Sequence, residues 1–453
     1  MNSQLFDAFD AVSSKEWKQK IQYELKGADY NDTLVWETLE GIKVKPFYHF
    51  DETIEKHNIE RNKTTFDVVQ PIFVHDIQKS NQNAFNKSER GAEVIHFTLE
   101  NETVDFNSLF ENLPKNIPYF IEPLFLSADF VKKGQTFADE NGFSFRWLID
   151  PIGQLVADGN WFENQKKDFE SLKEINTISC AFLSIKSGIY QASGANIVQQ
   201  IAYTLAHLNE YLNVLPVLKT PVVIELNVGP HYFLEIGKIR ALRLVLAALS
   251  EIYSINVPFY IYAKPSQRNK TLYDYNVNML RTTTECMSAV LGTADGVSNL
   301  PYDAIYHKDN EFGDRISRNQ LLILKHESYF DAVMNPADGA YFIEAITNQL
   351  AEKALELFKD IEKNGGLITQ LIEGKIQKKI AESAQKEQDL FDAGKEILLG
   401  TNKYPNLNDR MQNDLELFPF EKTNARKTLI APLIPRRLAE KTEQERLKKE
   451  TNP

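Results

Sequence analysis

Few residues in this chain stand at spacings that do chemistry. The eight histidines, His49, His57, His75, His96, His207, His231, His307 and His326, are scattered, and no two lie three or four positions apart. Nothing in that pattern predicts a zinc site. Cys180 and Cys286 are the only cysteines, too few for a thiolate metal cluster or a disulfide framework. The phosphate-cradling G-x-x-x-x-G-K-[ST], the dinucleotide G-x-G-x-x-G, the nucleophile G-x-S-x-G, H-E-x-x-H and C-x-x-C are all absent. His326-Glu327 is either a fragment of an acid–base pair or two solvated residues on a helix. The informative stretch is Lys186-Ser187-Gly188-Ile189-Tyr190-Gln191-Ala192-Ser193-Gly194-Ala195. It follows an apolar strand and precedes a helix. In a barrel that is the C-terminal mouth, where chemistry is done. Gly188 and Gly194 permit a tight loop, with Ser187, Tyr190 and Gln191 facing the lumen; the alternative is an ordinary βα loop of small residues.

Such a loop needs elements to hold it. Between about residues 60 and 300, short β-rich runs alternate with longer helical patterns. The predicted strands are Phe66–Val74, Val94–Leu99, Tyr119–Leu126, Phe143–Ile149, Thr177–Lys186, Pro221–Asn227, Pro258–Ala263 and a weak one near Gly292–Ser298. Predicted helices include Gly194–Leu212, His231–Tyr253 and Leu272–Leu291. Alternation of this kind argues parallel strands with crossover helices, and about eight units in roughly 240 residues fit a (β/α)8 barrel better than an open sheet. Beyond residue 315 the chain reads as helices. Ala340–Asn364 stops at Gly365-Gly366, and Leu367–Ala393 has a weak point at Gly374. Thr401–Asn406 reads as a loop, and the tail with Pro432 and Pro435 as a linker. At the other end Trp17, Ile21 and Leu25 lie four apart on one helical face, Gly27 stops the helix, Asp29-Tyr30-Asn31-Asp32 is turn chemistry and Thr33–Thr38 is strand-like. The fold class is therefore α/β, a (β/α)8 TIM-type barrel with an extended N-terminal arm and C-terminal helices. The expected divisions are an arm over residues 1–60, the barrel over 61–315, a helical extension over 316–400 and a linker or tail over 401–453.

Composition bounds the function. With 43% hydrophobic and 25% charged residues the chain can bury a core. No run of about 18 uncharged apolar residues spans a bilayer, and Met1 to Trp17 carries acids with no apolar signal core, so a cytoplasmic location is expected. A balance of 51 basic against 63 acidic residues, net -12, disfavours nucleic acid and anionic membrane as partners. Arg436, Arg437, Lys441, Arg446, Lys448 and Lys449 are interleaved with Glu440, Glu443, Glu445 and Glu450, which reads as a solvated helix face. Both cysteines read as small buried residues, Cys180 in a strand and Cys286 in a helix.

Several segments, in order along nearly the whole chain, resemble the methylmalonyl-CoA mutase family, and most closely its small (β) subunit. They begin with Trp17, Ile21, Glu24-Leu25-Lys26-Gly27, Asp29-Tyr30, Leu34, Trp36-Glu37-Thr38-Leu39-Glu40-Gly41-Ile42 and Pro46. They continue with Phe233-Leu234-Glu235-Ile236-Gly237-Lys238-Ile239-Arg240-Ala241, and with Arg281-Thr282-Thr283 and Val290-Leu291-Gly292. Then come Arg318-Asn319-Gln320, Glu327-Ser328, Asn335-Pro336-Ala337-Asp338-Gly339-Ala340-Tyr341-Phe342-Ile343-Glu344, Leu350-Ala351-Glu352-Lys353-Ala354 and Gly400-Thr401-Asn402-Lys403-Tyr404-Pro405-Asn406. The resemblance implies a barrel whose catalytic relatives interconvert (R)-methylmalonyl-CoA and succinyl-CoA by a radical that adenosylcobalamin supplies. There the acyl-CoA threads the lumen, and a flavodoxin-like domain carries a D-x-H-x-x-G motif whose histidine ligates cobalt.

The departures choose the member. None of the eight histidines has Asp two positions earlier, and about fifty residues after Asn406 are too few for five βα units. Catalytic chains carry S-G-Y-H, a glutamate and A-G-A at the mouth; here Ser187-Gly188-Ile189-Tyr190-Gln191-Ala192-Ser193-Gly194-Ala195 is one residue shorter, with Tyr190 nearest the missing histidine. A phenol there retains one hydrogen-bond donor. The substrate-gripping R-P-W-T-x-R-Q-Y-x-G segment has no counterpart in Thr65 to Val74, and Val297-Ser298-Asn299 stands where catalytic chains show H-T-N. The expectation is a small, non-catalytic subunit with no catalytic residue of its own and a degenerate mouth at Ser187, Gly188, Tyr190 and Gln191. It would bind no cofactor. Adenosylcobalamin would sit on the large (alpha) subunit, its partner, and the complex would handle the acyl-CoA. Trp17, Ile21, Leu25, Tyr30 and Trp36 are the expected interface. Two other readings stay open: a catalytic barrel served by a separate cobalamin-binding subunit, and a CoA-binding module without turnover. For the latter Arg240, Arg243 and Arg281 would reach phosphates, unless they are ion-pair residues of barrel helices. Arg146 would point into the lumen or salt-bridge at the barrel's bottom.

Overall fold

Eight parallel strands close into a barrel: β1 (Asp67–Val74), β2 (Val94–Leu99), β3 (Pro118–Pro123), β4 (Ser144–Ile149), β5 (Ala181–Lys186), β6 (Val222–Val228), β7 (Phe259–Pro265) and β8 (Gly296–Val297). In this computed structural model, residues 9–451 are described except 53, 60, 62, 179, 180, 216, 217, 219, 220, 256 and 257. β8 closes the ring by pairing with both β7 and β1. Each strand lies on a predicted run, and β2 coincides with its run residue for residue. Cys180, predicted to sit in the fifth strand, is outside the described residues; Cys286 is buried.

Alternation along each strand sorts the side chains. One set faces the helices: Ile95, Phe97, Ile121, Trp147, Ile185, Ile224 and Ile261 join the main apolar core. The other set faces the lumen. There Val69, Val94, Phe120, Leu148, Val223, Tyr260 and Tyr262 form a core cluster of their own, so the barrel axis is filled rather than hollow. The Phe120 ring centre lies 5.5 Å from that of Tyr260 and 5.8 Å from that of Tyr262.

Three elements differ from their predicted form for identifiable reasons. Asp29 caps a short helix, Tyr30–Leu34, by accepting from the amides of Asn31 and Asp32 at 2.7 and 2.9 Å; the carboxylate nucleates a helix where turn chemistry was expected. Only Trp36–Glu37 of the following run is strand, paired antiparallel with Lys43–Val44. The helix expected from Leu272 begins at Val277. Asn278 holds the preceding loop by accepting from the Thr271 amide at 3.1 Å and donating to the Thr271 carbonyl at 2.9 Å.

The extension is anchored by charge. Helix Tyr341–Lys363 packs on helices Ile197–Val214 and Tyr232–Tyr253. Arg240, fully buried, donates to Glu344 at 3.0 Å and also pairs with Asp338. Gly374, with φ +72°, breaks the next helical stretch into Gly366–Ile372 and Lys375–Asp392. The last segment crosses the barrel's upper rim: the amides of Leu433, Arg436 and Leu438 donate to the carbonyls of Val156, Ala192 and Arg268 at 2.9, 3.0 and 2.9 Å. Arg437, buried, then donates to the carbonyls of Lys270 and Pro419 and pairs with Glu443 of the final helix, Glu440–Thr451.

Candidate active site at the barrel mouth

At the C-terminal ends of the strands lies a cavity of about 860 Å³. Its floor is a set of charged side chains, each from a different strand: Glu122 (β3), Lys186 (β5), Glu225 (β6) and Lys264 (β7). Lys186 Nζ lies 2.6 Å from Glu122 Oε1, and His96 Nε2 lies 2.8 Å from Glu122 Oε2. Lys264 pairs with Glu225 and rests 4.6 Å above the Tyr262 ring. Register explains the grouping, since Lys186 faces Glu225 on β6 and Asn227 faces Lys264 on β7.

This floor holds charge still. Burial pushes the Glu122 carboxyl up, but Lys186, His96 and Lys264 together hold it well below the ordinary carboxylate value. Burial likewise disfavours the Lys186 and Lys264 ammonium ions, and Glu122 and Glu225 more than offset it, so both are raised. A catalytic acid or base works best near the operating pH. Glu122, Lys186 and Lys264 are all moved away from it.

The loop residues singled out by sequence do not meet in the lumen. Ser187 is buried and its hydroxyl donates to the Glu225 carbonyl at 2.7 Å. Gly188 is pressed on Asn227, where a Cβ would come within 2.7 Å of the amide oxygen. Gln191 accepts from the Ser266 hydroxyl at 2.8 Å. Tyr190 is fully buried and points toward helix Ile197–Val214, its hydroxyl 3.2 Å from His207 Nδ1. His207 Nε2 in turn donates to Asp150 Oδ1 at 2.8 Å. Asp150, fully buried at the end of β4, also accepts from the Tyr211 hydroxyl and the amides of Gly153 and Lys186. Lys186, Gly188, Ile189 and Ala192 are the members of the loop that line the cavity.

The arginines weighed as phosphate ligands are occupied. Arg243 donates to Thr293 and Asp295, and Arg281 to Thr271, Asn278 and the Leu399 carbonyl. With Arg240 they are partly to fully buried structural partners. Arg146 reaches the lower lumen, over the Tyr260 and Phe120 rings. On the arm, Trp17 and Trp36 are each about half exposed at 49% and 50%, Ile21 and Leu25 are half-buried, and Tyr30 is buried within its own chain. Trp36 lies against His231, with ring centres 6.3 Å apart. No histidine lines the mouth cavity among the described residues, and no group of three or more metal-binding side chains occurs among them. No described helix is long and apolar enough to cross a membrane.

Lys186 opens the stretch singled out by sequence, but its floor partners Glu122, Glu225 and Lys264 escaped the reading, though a signal existed. Glu122, Lys186, Glu225 and Lys264 each fall singly at or near the C-terminal end of an apolar run, which is the mouth position of a barrel strand.

The family model and the relatives similar in sequence point the same way. The methylmalonyl-CoA mutase family matches residues 150–451. The methylmalonyl-CoA mutase small subunit of Porphyromonas gingivalis strain W83 is 30% identical over 450 residues, covering 89% of this chain and 72% of that one. The small subunit of Streptomyces virginiae is 32% identical over 276 residues, covering 58% and 44%. The mitochondrial methylmalonyl-CoA mutase of Mus musculus is 24% identical over 494 residues, covering 92% and 64%. The match to the Rhizobium meliloti mutase spans only 35% of that relative's length.

Proposed function

The chain belongs to the methylmalonyl-CoA mutase family of isomerases, and on that premise we propose that it is the small, non-catalytic subunit of a two-subunit mutase. Its partner is a large subunit that carries adenosylcobalamin and the acyl-CoA. The observation that carries this reading is the filled lumen: Phe120, Tyr260 and Tyr262 pack ring against ring across the axis that an acyl-CoA chain would have to thread. The paired floor above them agrees, because Lys186 and Lys264 are each held by a glutamate and neither is left unpaired for a substrate carboxylate.

Cobalamin does not fit this mouth. Among the described residues no histidine lines the cavity, and His96 beneath it is buried at 2% exposure and bound to Glu122, so no imidazole there is free to hold cobalt. The cofactor's chemistry, generation of a radical, is therefore assigned to the partner and no step passes through this chain. Its own part is structural, to hold the large subunit in its active form. The exposed Trp17 and Trp36 of the arm supply apolar surface for that contact.

Co-expression with the large subunit tests the proposal. The full chain is expected to co-purify with it, while a chain lacking residues 1–40 loses most of the association. Equal recovery of both would remove the arm's role. Turnover by this chain with a free cobalamin-binding subunit alone would remove the non-catalytic one.

A further inference from the structure

The lower end of the barrel holds a second pocket, of about 280 Å³, which shares no lining residue with the mouth cavity. Arg146 of β4 lines it. The guanidinium carbon lies 4.9 Å from the Tyr260 ring centre and 5.5 Å from that of Phe120, and a flat cation is well seated between aromatic faces. What this guanidinium lacks is an acceptor. It donates to none of the described residues, and Nη1 is buried without a partner. In this rigid fork Nη1 is thus a donor that burial disfavours leaving unpaired.

The neighbouring carboxylates Asp67 and Asp295 act on Arg146 by charge, and each accepts hydrogen bonds from other groups. Asp67 accepts from Lys63 and, at 2.8 Å, from the Tyr260 hydroxyl. Asp295 accepts at 2.8 Å from both Arg243 and the Ile261 amide. The rim is formed in part by Pro118, Pro221 and Pro258. Lys63, 48% exposed in its side chain and paired with Asp67, stands at the opening. Above, the packed Phe120, Tyr260 and Tyr262 rings close the pocket to anything long.

From these residues we infer that the barrel's lower pocket is a binding site for a small oxyanion, a carboxylate or phosphate group gripped in two-pronged fashion by Arg146. The inference is independent of the subunit reading, since it concerns the opposite end of the barrel and needs no partner. The test is calorimetric titration of the full chain with inorganic phosphate and, separately, with acetate, at an ionic strength fixed with sodium chloride. The expected result is saturable binding of at least one of them, with a Kd at or below about 1 mM. The two arms tell which group the fork prefers. Arg146→Met should weaken binding at least tenfold, about 1.4 kcal/mol. Arg146→Lys, which keeps the charge and loses the fork, should fall between, and Lys186→Met at the mouth should bind like the parent. Should Arg146→Met not fold, Arg146→Lys carries the comparison. Absence of saturable heat with both anions, or undiminished affinity in the Arg146 variants, would overturn the assignment.

Discussion

The Tyr190 hydroxyl lies 3.2 Å from Nδ1 of His207, and both side chains are fully buried. His207 Nε2 lies 2.8 Å from the Asp150 carboxylate on its other side, so the ring bridges the phenol and the carboxylate. Tyr190 thus secures the loop after β5 to the helix Ile197–Val214. Tyr190→Phe should cost about 1 kcal/mol of stability, the net worth of a typical hydrogen bond. A urea midpoint measures this, and the turnover of the two-subunit complex should not change.

Asp150 gives a larger effect. Burial raises its carboxyl, yet His207, Tyr211 and the Lys186 amide together leave it below the ordinary aspartate value. Asp150→Ala strands His207 and Tyr211 in the interior and should cost about 3–5 kcal/mol, as for breaking a buried pair. Circular-dichroism melts would register it.

The floor of the mouth sets a pH dependence. The Glu122 carboxyl titrates lower in the folded than in the unfolded chain, so its contribution is full above the unfolded value, about 4.3, and is lost as pH falls through the folded value. Lys186 is raised; its contribution is full below the unfolded value, about 10.4, and is lost as pH climbs through the folded one. Stability should therefore be flat across the neutral range and fall at both extremes. Glu122→Gln should flatten the acid limb of urea midpoints taken against pH. An acid limb identical to the parent's would remove Glu122 as its source.

Gly194 is a packing constraint. Its φ is +101°, and a Cβ would sit 2.4 Å from that of Ala384 on helix Lys375–Asp392. Gly194→Ala therefore combines left-handed backbone strain, about 1–2 kcal/mol, with a collision against backbone-anchored atoms. A thermal melt should show it to be more harmful than Gly142→Ala, where φ is +74° but nothing lies within 4 Å.

The barrel was legible because its strands are short apolar runs between helical stretches, and burial on both faces writes them that way. Val94–Leu99 is such a run, with five of its six residues buried and Thr98 partly so. Boundaries failed where one polar side chain reassigns the backbone, as Asp29 does by capping and Asn278 by tying back Thr271. The loop at Ser187–Ala195 was found but its side-chain directions were not. Which way Tyr190 turns depends on His207, seventeen residues on, and on Asp150, forty residues back. Beyond Lys186, the charged floor was missed because its members come from separate strands and only ring closure brings them together.

The central claim, a barrel that supports turnover without performing it, is tested most directly by steady-state turnover of the reconstituted two-subunit complex carrying Lys186→Met and Lys264→Met in this chain. The account predicts the parent's kcat and KM for methylmalonyl-CoA. A fall in kcat of about a hundredfold or more, the scale of losing an acid–base group, with the complex still assembled, would contradict it.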